Sequence, residues 1–102
     1  MKTKTRSNGL PAIHPGEFLR EMLDELTLTQ SAFADAIGIS PMRVSHVLRG
    51  ERPVNAELAL RLGRAFSQSP QYWLNLQSTY DLKIAQAHMK DALLAIRSLE
   101  IA

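Results

Sequence analysis

Five residues between Pro41 and Arg49 could do chemistry on a neighbouring molecule. At about 100° per residue on a helix, Met42, His46 and Arg49 fall on one side, with Ser45 at one edge and Arg43 at the other. Val44, Val47 and Leu48 fall on the opposite side, the one that must face a core. The outward set suits a DNA major groove, about 12 Å wide. Arg43 can donate two hydrogen bonds to guanine O6 and N7, Met42 can pack on a thymine methyl, and His46 can donate to a base or a phosphate. These are the candidate base contacts. Gln30, Ser40, Ser45, Arg49 and Arg52 are the candidate phosphate contacts. Gln30 and Ser40 stand at predicted helix starts, where free amides attract anions, and Arg49 and Arg52 supply charge at the far end. Phosphate contacts position such a helix, whereas base contacts choose the sequence.

A face of this kind needs a scaffold, and residues 30–52 (QSAFADAIGISPMRVSHVLRGER) describe one. Phe33, Ile37, Ile39, Val44 and Val47 are spaced to pack two short helices together. Ala34 permits close approach, and Gly38 can take the left-handed conformation of the turn. Thr29 and Asn55 are placed to cap helices running to about Ile37 and from Ala56 to about Phe66. Ser40-Pro41 and Ser69-Pro70 pair a capping hydroxyl with proline at the first helical position. Upstream, His14-Pro15-Gly16-Glu17 opens a helix, with Glu17 placed to reach back to the amide of His14. That helix buries Phe18, Leu19, Met22, Leu23 and Leu26 and ends near Thr27. Leu58, Ala59, Leu62, Ala65 and Phe66 face inward from the fourth helix, and Tyr72, Trp73 and Leu76 close the core.

The expected fold is all-α: five helices with a C-terminal helical extension. Residues 1–13 are read as an arm, 14–80 as the DNA-binding domain and 81–102 as a helical tail. No proline or glycine follows Gln71. Leu82, Ala85, Met89, Ala92, Ile96 and Leu99 are spaced 3, 4, 3, 4, 3, a heptad seam. Such a seam needs a partner, either this chain folded back as a hairpin or a second copy forming a homodimer.

Charge is distributed in patches rather than in the sum. The formal net charge over 102 residues is only +2. Lys2, Lys4 and Arg6 lie in the arm, while Arg43, Arg49 and Arg52 cluster with His46. Glu17, Glu21, Asp24 and Glu25 form an acidic face on the first helix. Opposite patches on one small domain suggest two different partners. The absence of cysteine removes disulfides, thiolate metal sites and a thiol nucleophile. His14, His46 and His88 are scattered, and no phosphate loop or metalloprotease motif occurs, so neither an enzyme, a metal site nor a cofactor is expected. No apolar run approaches the roughly 18–20 residues of a membrane span, and no secretion signal is visible, so the expected location is the cytoplasm.

HPGEFLREML at 14–23, LTQSAFADAIGISPMRVSHVLRGERPVNAELALRLGRAF at 28–66 and SPQYWLNLQSTYDL at 69–82 together resemble the Xre/Cro-type helix-turn-helix family, and within it the HigA-type antitoxins. The resemblance implies a dimeric repressor of its own operon that also holds a HigB-type ribonuclease toxin inactive. Pro41-Met42 departs from the polar or basic residues common at those positions, so the operator sequence does not carry over. Toxins that cleave RNA tend to be basic. Glu17, Glu21, Asp24 and Glu25 are therefore either a solvated face or a toxin contact. Two rival functions stand beside the antitoxin: a repressor without a toxin, and an interaction module that has lost DNA binding.

Overall fold

The computed structural model describes residues 11–100, so Lys2, Lys4, Arg6 and most of the arm lie outside the described part. Those residues form six helices and no strand: α1 (Pro15–Leu26), α2 (Gln30–Ile37), α3 (Pro41–Leu48), α4 (Ala56–Phe66), α5 (Pro70–His88) and α6 (Lys90–Leu94). Each of the first five starts where its sequence signal stands. The hydroxyls of Thr29, Ser40 and Ser69 and the amide oxygen of Asn55 accept from Ala32, Arg43, Gln71 and Leu58 N–H at 2.9–3.1 Å. Helix α1 differs in one respect. The imidazole of His14, rather than Glu17, caps it, with Nδ1 accepting from Gly16 N–H at 2.9 Å. The glutamate is therefore left exposed.

Packing follows from these starts. Leu19 and Leu23 of α1, Phe33, Ala34 and Ile37 of α2, and Val44, Val47 and Leu48 of α3 form one core with Val54, Leu58, Ala59, Leu62 and Trp73. Gly16 sits against α3 so closely that a Cβ there would overlap the Val47 carbonyl. The lack of a side chain at Gly16 thus sets the separation of α1 and α3. Gly38 turns the chain between α2 and α3 at φ 75°. Phe33 stacks on Phe66 with centroids 5.6 Å apart, and Phe66 leans on Trp73 at 6.1 Å. A buried amide ties the loop before α4 to α5: Gln77 Oε1 accepts from Val54 N–H at 2.7 Å, and Nε2 donates to Asp81 at 2.9 Å.

Three inward assignments are corrected. Leu26 is 55% exposed and Tyr72 42%, and Ala65 also faces out. Leu26 lies at the last turn of α1, where the left-handed Thr27 diverts the chain before any element covers it. Tyr72 lies beside Trp73 on α5, and only Trp73 can point at α4; Tyr72 meets it edge-on from outside at 5.4 Å.

The tail differs more. The spacing reads residues 81–102 as a helical tail, but α5 ends at His88, Met89 is a break at φ −104°, ψ 14°, and α6 is five residues long. Leu82 and Ala85 lie on α5, Met89 at the break and Ala92 on α6, while Ile96 and Leu99 lie beyond any helix. Every residue from Ile84 to Glu100 is exposed. The tail therefore does not fold back to bury its own seam, which removes the hairpin. A helix without a packed face has only local propensity to propagate it, and short isolated helices are marginal.

Candidate nucleic-acid interface

The α3 face is built from its ends inward. Ser40 spends its oxygen on Arg43 N–H at 3.1 Å but keeps its hydroxyl hydrogen for an outside acceptor. Gly50, at φ 75°, turns the chain away after Arg49. Arg20 of α1 donates to the Leu48 carbonyl at 3.1 Å, satisfying an end that α3 itself leaves open. The result is a short helix fixed at both ends, with one face in the core and one outside.

The predicted readers occupy that outer face. Met42 is 67% exposed, while Arg43, Ser45 and His46 are half-buried at its borders. Arg49 and Arg52 are exposed beyond the end of α3, and Gln30 is exposed at the first position of α2. Thr29 satisfies the third amide of α2, which leaves the Gln30 and Ser31 N–H groups directed out of the helix start. Each of these residues is thus at least partly accessible to an outside partner.

Sequence spacing missed the carboxylates among them. Glu51 Oε1 lies 3.4 Å from Arg49 Nη2 and 4.0 Å from His46 Nε2. Glu57, on the first turn of α4, lies 3.5 Å from Arg43 Nη1 and 3.1 Å from Arg61 Nη2. Those two guanidiniums, Arg61 foremost, hold the Glu57 carboxyl below its ordinary range. The Glu57–Arg61 pair is legible as an i, i+4 spacing, but nothing in the spacing brings Glu57 to Arg43. The acidic residues Glu17, Glu21, Asp24 and Glu25 are all exposed on α1, and Glu17 and Glu21 border a groove floored by Ile13 and Phe18. Among the described residues, no group of His, Cys, Asp or Glu converges in a way that would hold a metal ion. No described helix is long and apolar enough to cross a membrane.

His14 lies behind this face, between Gly50 and the edge of Tyr80, whose ring centroid is 5.0 Å away. Burial lowers its pKa from about 6.5, against the raising influence of the Arg52 backbone, Asp81 and Glu17. The unfolded chain therefore takes up the proton first as pH falls. We expect the thermal midpoint to hold above pH 6.5 and to decline as pH drops through 6.5 towards the folded value. His14→Asn, which keeps a capping side chain, should flatten that decline; an unchanged profile would assign it to another group.

The two short helices, the glycine turn and the outward cationic face define a helix-turn-helix DNA-binding protein. The helix-turn-helix family model matches residues 19–73, and the chain belongs to that family and, within it, to the HigA-type antitoxins. It is 45% identical over 87 residues to the virulence-associated protein I of Dichelobacter nodosus, covering 84% of this chain and 81% of that one. A HigA-family addiction module antidote protein from Coxiella burnetii superposes with a TM-score of 0.85 at 35% identity, over 89% of this chain and all of that one. Pseudomonas aeruginosa antitoxin HigA, solved with the higBA promoter, superposes at 0.83 with 41% identity, over 87% and 99%. The two solved relatives are an antidote protein and an antitoxin, the latter bound to promoter DNA.

Proposed function

We propose that the chain is the antitoxin of a toxin–antitoxin module, which binds a HigB-type ribonuclease toxin and, as a homodimer in the cytoplasm, represses its own operon. The observation that carries the DNA half is the α3 face: Met42, Arg43 and His46 held outward on a helix whose opposite side is locked in the core. Met42, Arg43 and His46 read bases. Gln30, Ser40, Ser45, Arg49 and Arg52 hold phosphates, Ser40 through its remaining hydroxyl hydrogen and Gln30 through the start of α2. The HigA structure with its promoter supports this reading. Two-fold symmetry through the tail would set two such faces on successive half-sites.

The test is a binding series on the DNA upstream of the chain's own gene. Affinity should fall with salt in proportion to the number of phosphates neutralised. Arg43→Ala should cost roughly 1–3 kcal/mol of discrimination among operator variants. An equal loss on every sequence would make Arg43 a phosphate contact instead. No salt-dependent shift on that DNA would leave the interaction-module reading in place.

The toxin half is carried by the exposed acidic face of α1 and the groove beside it. A small basic protein encoded beside this chain should co-purify with it. Glu21→Lys with Asp24→Lys should weaken that complex by about 0.2–1 kcal/mol for each exposed pair lost, and leave operator binding intact. Unaltered affinity would return the face to solvent. Operator binding with no co-purifying partner would identify a repressor without a toxin.

A further inference from the structure

Arg43 stands at the border of the α3 face, where a long side chain can reach either a base edge or the DNA backbone. What restrains it comes from another helix. Arg43 Nη1 lies 3.5 Å from Glu57 Oε1 on α4. The other Glu57 oxygen accepts from Arg61 Nη2 at 3.1 Å, and Arg61 Nη1 donates at 2.6 Å to the Ile37 carbonyl, the last residue of α2. The series Arg43–Glu57–Arg61–Ile37 therefore ties the border of the reading helix to the turn that precedes it. Gly38 leaves room for this arrangement, because a Cβ there would stand 3.1 Å from Arg61 Nη1. A surface carboxylate usually wanders, but this one has each oxygen engaged by a different arginine.

The consequence follows from guanidinium geometry. Arginine is a planar fork of five donors, and bidentate reading of guanine requires that plane to be fixed. Glu57 engages one Nη1 hydrogen and leaves the rest of the fork for a base. Its negative charge also opposes movement of phosphate into the same space. We propose that Glu57 is a positioning residue for operator specificity, holding the Arg43 guanidinium towards the base edge and away from the DNA backbone. The inference rests on Arg43 being a base reader, as proposed above.

The experiment uses the full chain and DNA that it selects itself. Random-sequence duplexes enriched by the wild-type protein supply a preferred site, and single base-pair changes in it supply the competitors. Fluorescence anisotropy at one salt concentration then gives the ratio of affinities for wild type, Glu57→Gln, Arg43→Ala and the double variant. The diagnostic position is the G·C pair at which Arg43→Ala flattens the ratio. There, Glu57→Gln should lower discrimination by about fivefold or more, within the range of one bidentate contact. Affinity for an unrelated duplex should rise, because a negative charge leaves the DNA face. Glu57→Asp, which keeps the charge but shortens the reach, should lose discrimination without that rise. In the Arg43→Ala background, Glu57→Gln should change the ratio no further.

The two layers fail separately. If Arg43→Ala alters no ratio at any position, the base-reading role falls and this inference falls with it. If Arg43→Ala flattens the ratio and Glu57→Gln does not, Glu57 is only a surface partner and the inference alone is overturned. An equal effect of Glu57→Gln with and without Arg43 overturns it too, since the carboxylate would then act by another route.

Discussion

Met89→Asp combined with Ile96→Asp should leave a monomer in sedimentation equilibrium and weaken operator binding by about 10²–10⁴-fold, the advantage lost when two half-sites are no longer engaged together. Both side chains are exposed, at 44% and 67%, among Leu82, Leu93, Leu94 and Leu99, all exposed too. These exposed apolar side chains are the ones that the proposed dimer would bury. Two aspartates placed within it would have to be desolvated without partners in any dimer that buries it. The break at Met89 bears on the geometry of pairing. A second copy would meet the end of α5 and α6, rather than one unbroken heptad helix. If a dimer survives both substitutions, the contact lies elsewhere, and the exposed tail needs a different partner. Neither substitution touches the α3 face, so an unfolded or aggregated variant is distinguished by its thermal melt.

Trp73→Ala should cost about 3–5 kcal/mol, the range for emptying a large aromatic site in a core. For a domain of this size that lowers the thermal midpoint by roughly 15 °C or more, and removes much of the 5–15 kcal/mol typical of small domains. Trp73 is 0% exposed. It fills the space between α4 and α5, touches Phe66, and donates from its indole nitrogen to Gln68 Oε1 at 2.9 Å. Its removal would therefore cost both contacts and a hydrogen bond. The neighbouring Tyr72→Ala is the control. That ring covers Trp73 from outside, and its loss should cost about 1 kcal/mol, the worth of an exposed aromatic contact. Urea denaturation of the pair measures the difference. Equal losses would mean that α5 does not dock on α4 through the tryptophan.

The pair Tyr72 and Trp73 also shows where sequence reasoning stops. Both are large, aromatic and adjacent to a strong helix start, and composition gives no reason to separate them. Only the direction from which α4 approaches α5 assigns one to the core and the other to the surface. The His14 cap has the same character. A histidine before proline is legible as a helix start, but its use of Nδ1 for the Gly16 amide depends on the imidazole being held between Gly50 and Tyr80. At the interface, spacing alone put Met42, Arg43, His46 and Arg49 on one face, because a helix of eight residues has one periodicity and two sides. Spacing could not find Glu57, which is fourteen residues from Arg43 in sequence and one ion pair away in space.

The sequence by itself determined most of the local elements: the capping side chains of α2 to α5, the glycine turn, most of the apolar positions facing inward and the side of α3 that faces out. Each depends on near neighbours along the chain, where helical geometry leaves few choices. Tertiary structure decided which charges neutralise one another, which aromatic ring is buried and where the tail stops being helical. Those outcomes depend on contacts between segments distant in sequence, or on the absence of any such contact. A heptad seam shows the difference plainly, since its spacing describes the face a helix would present. Whether the helix persists depends on a partner that packs against it.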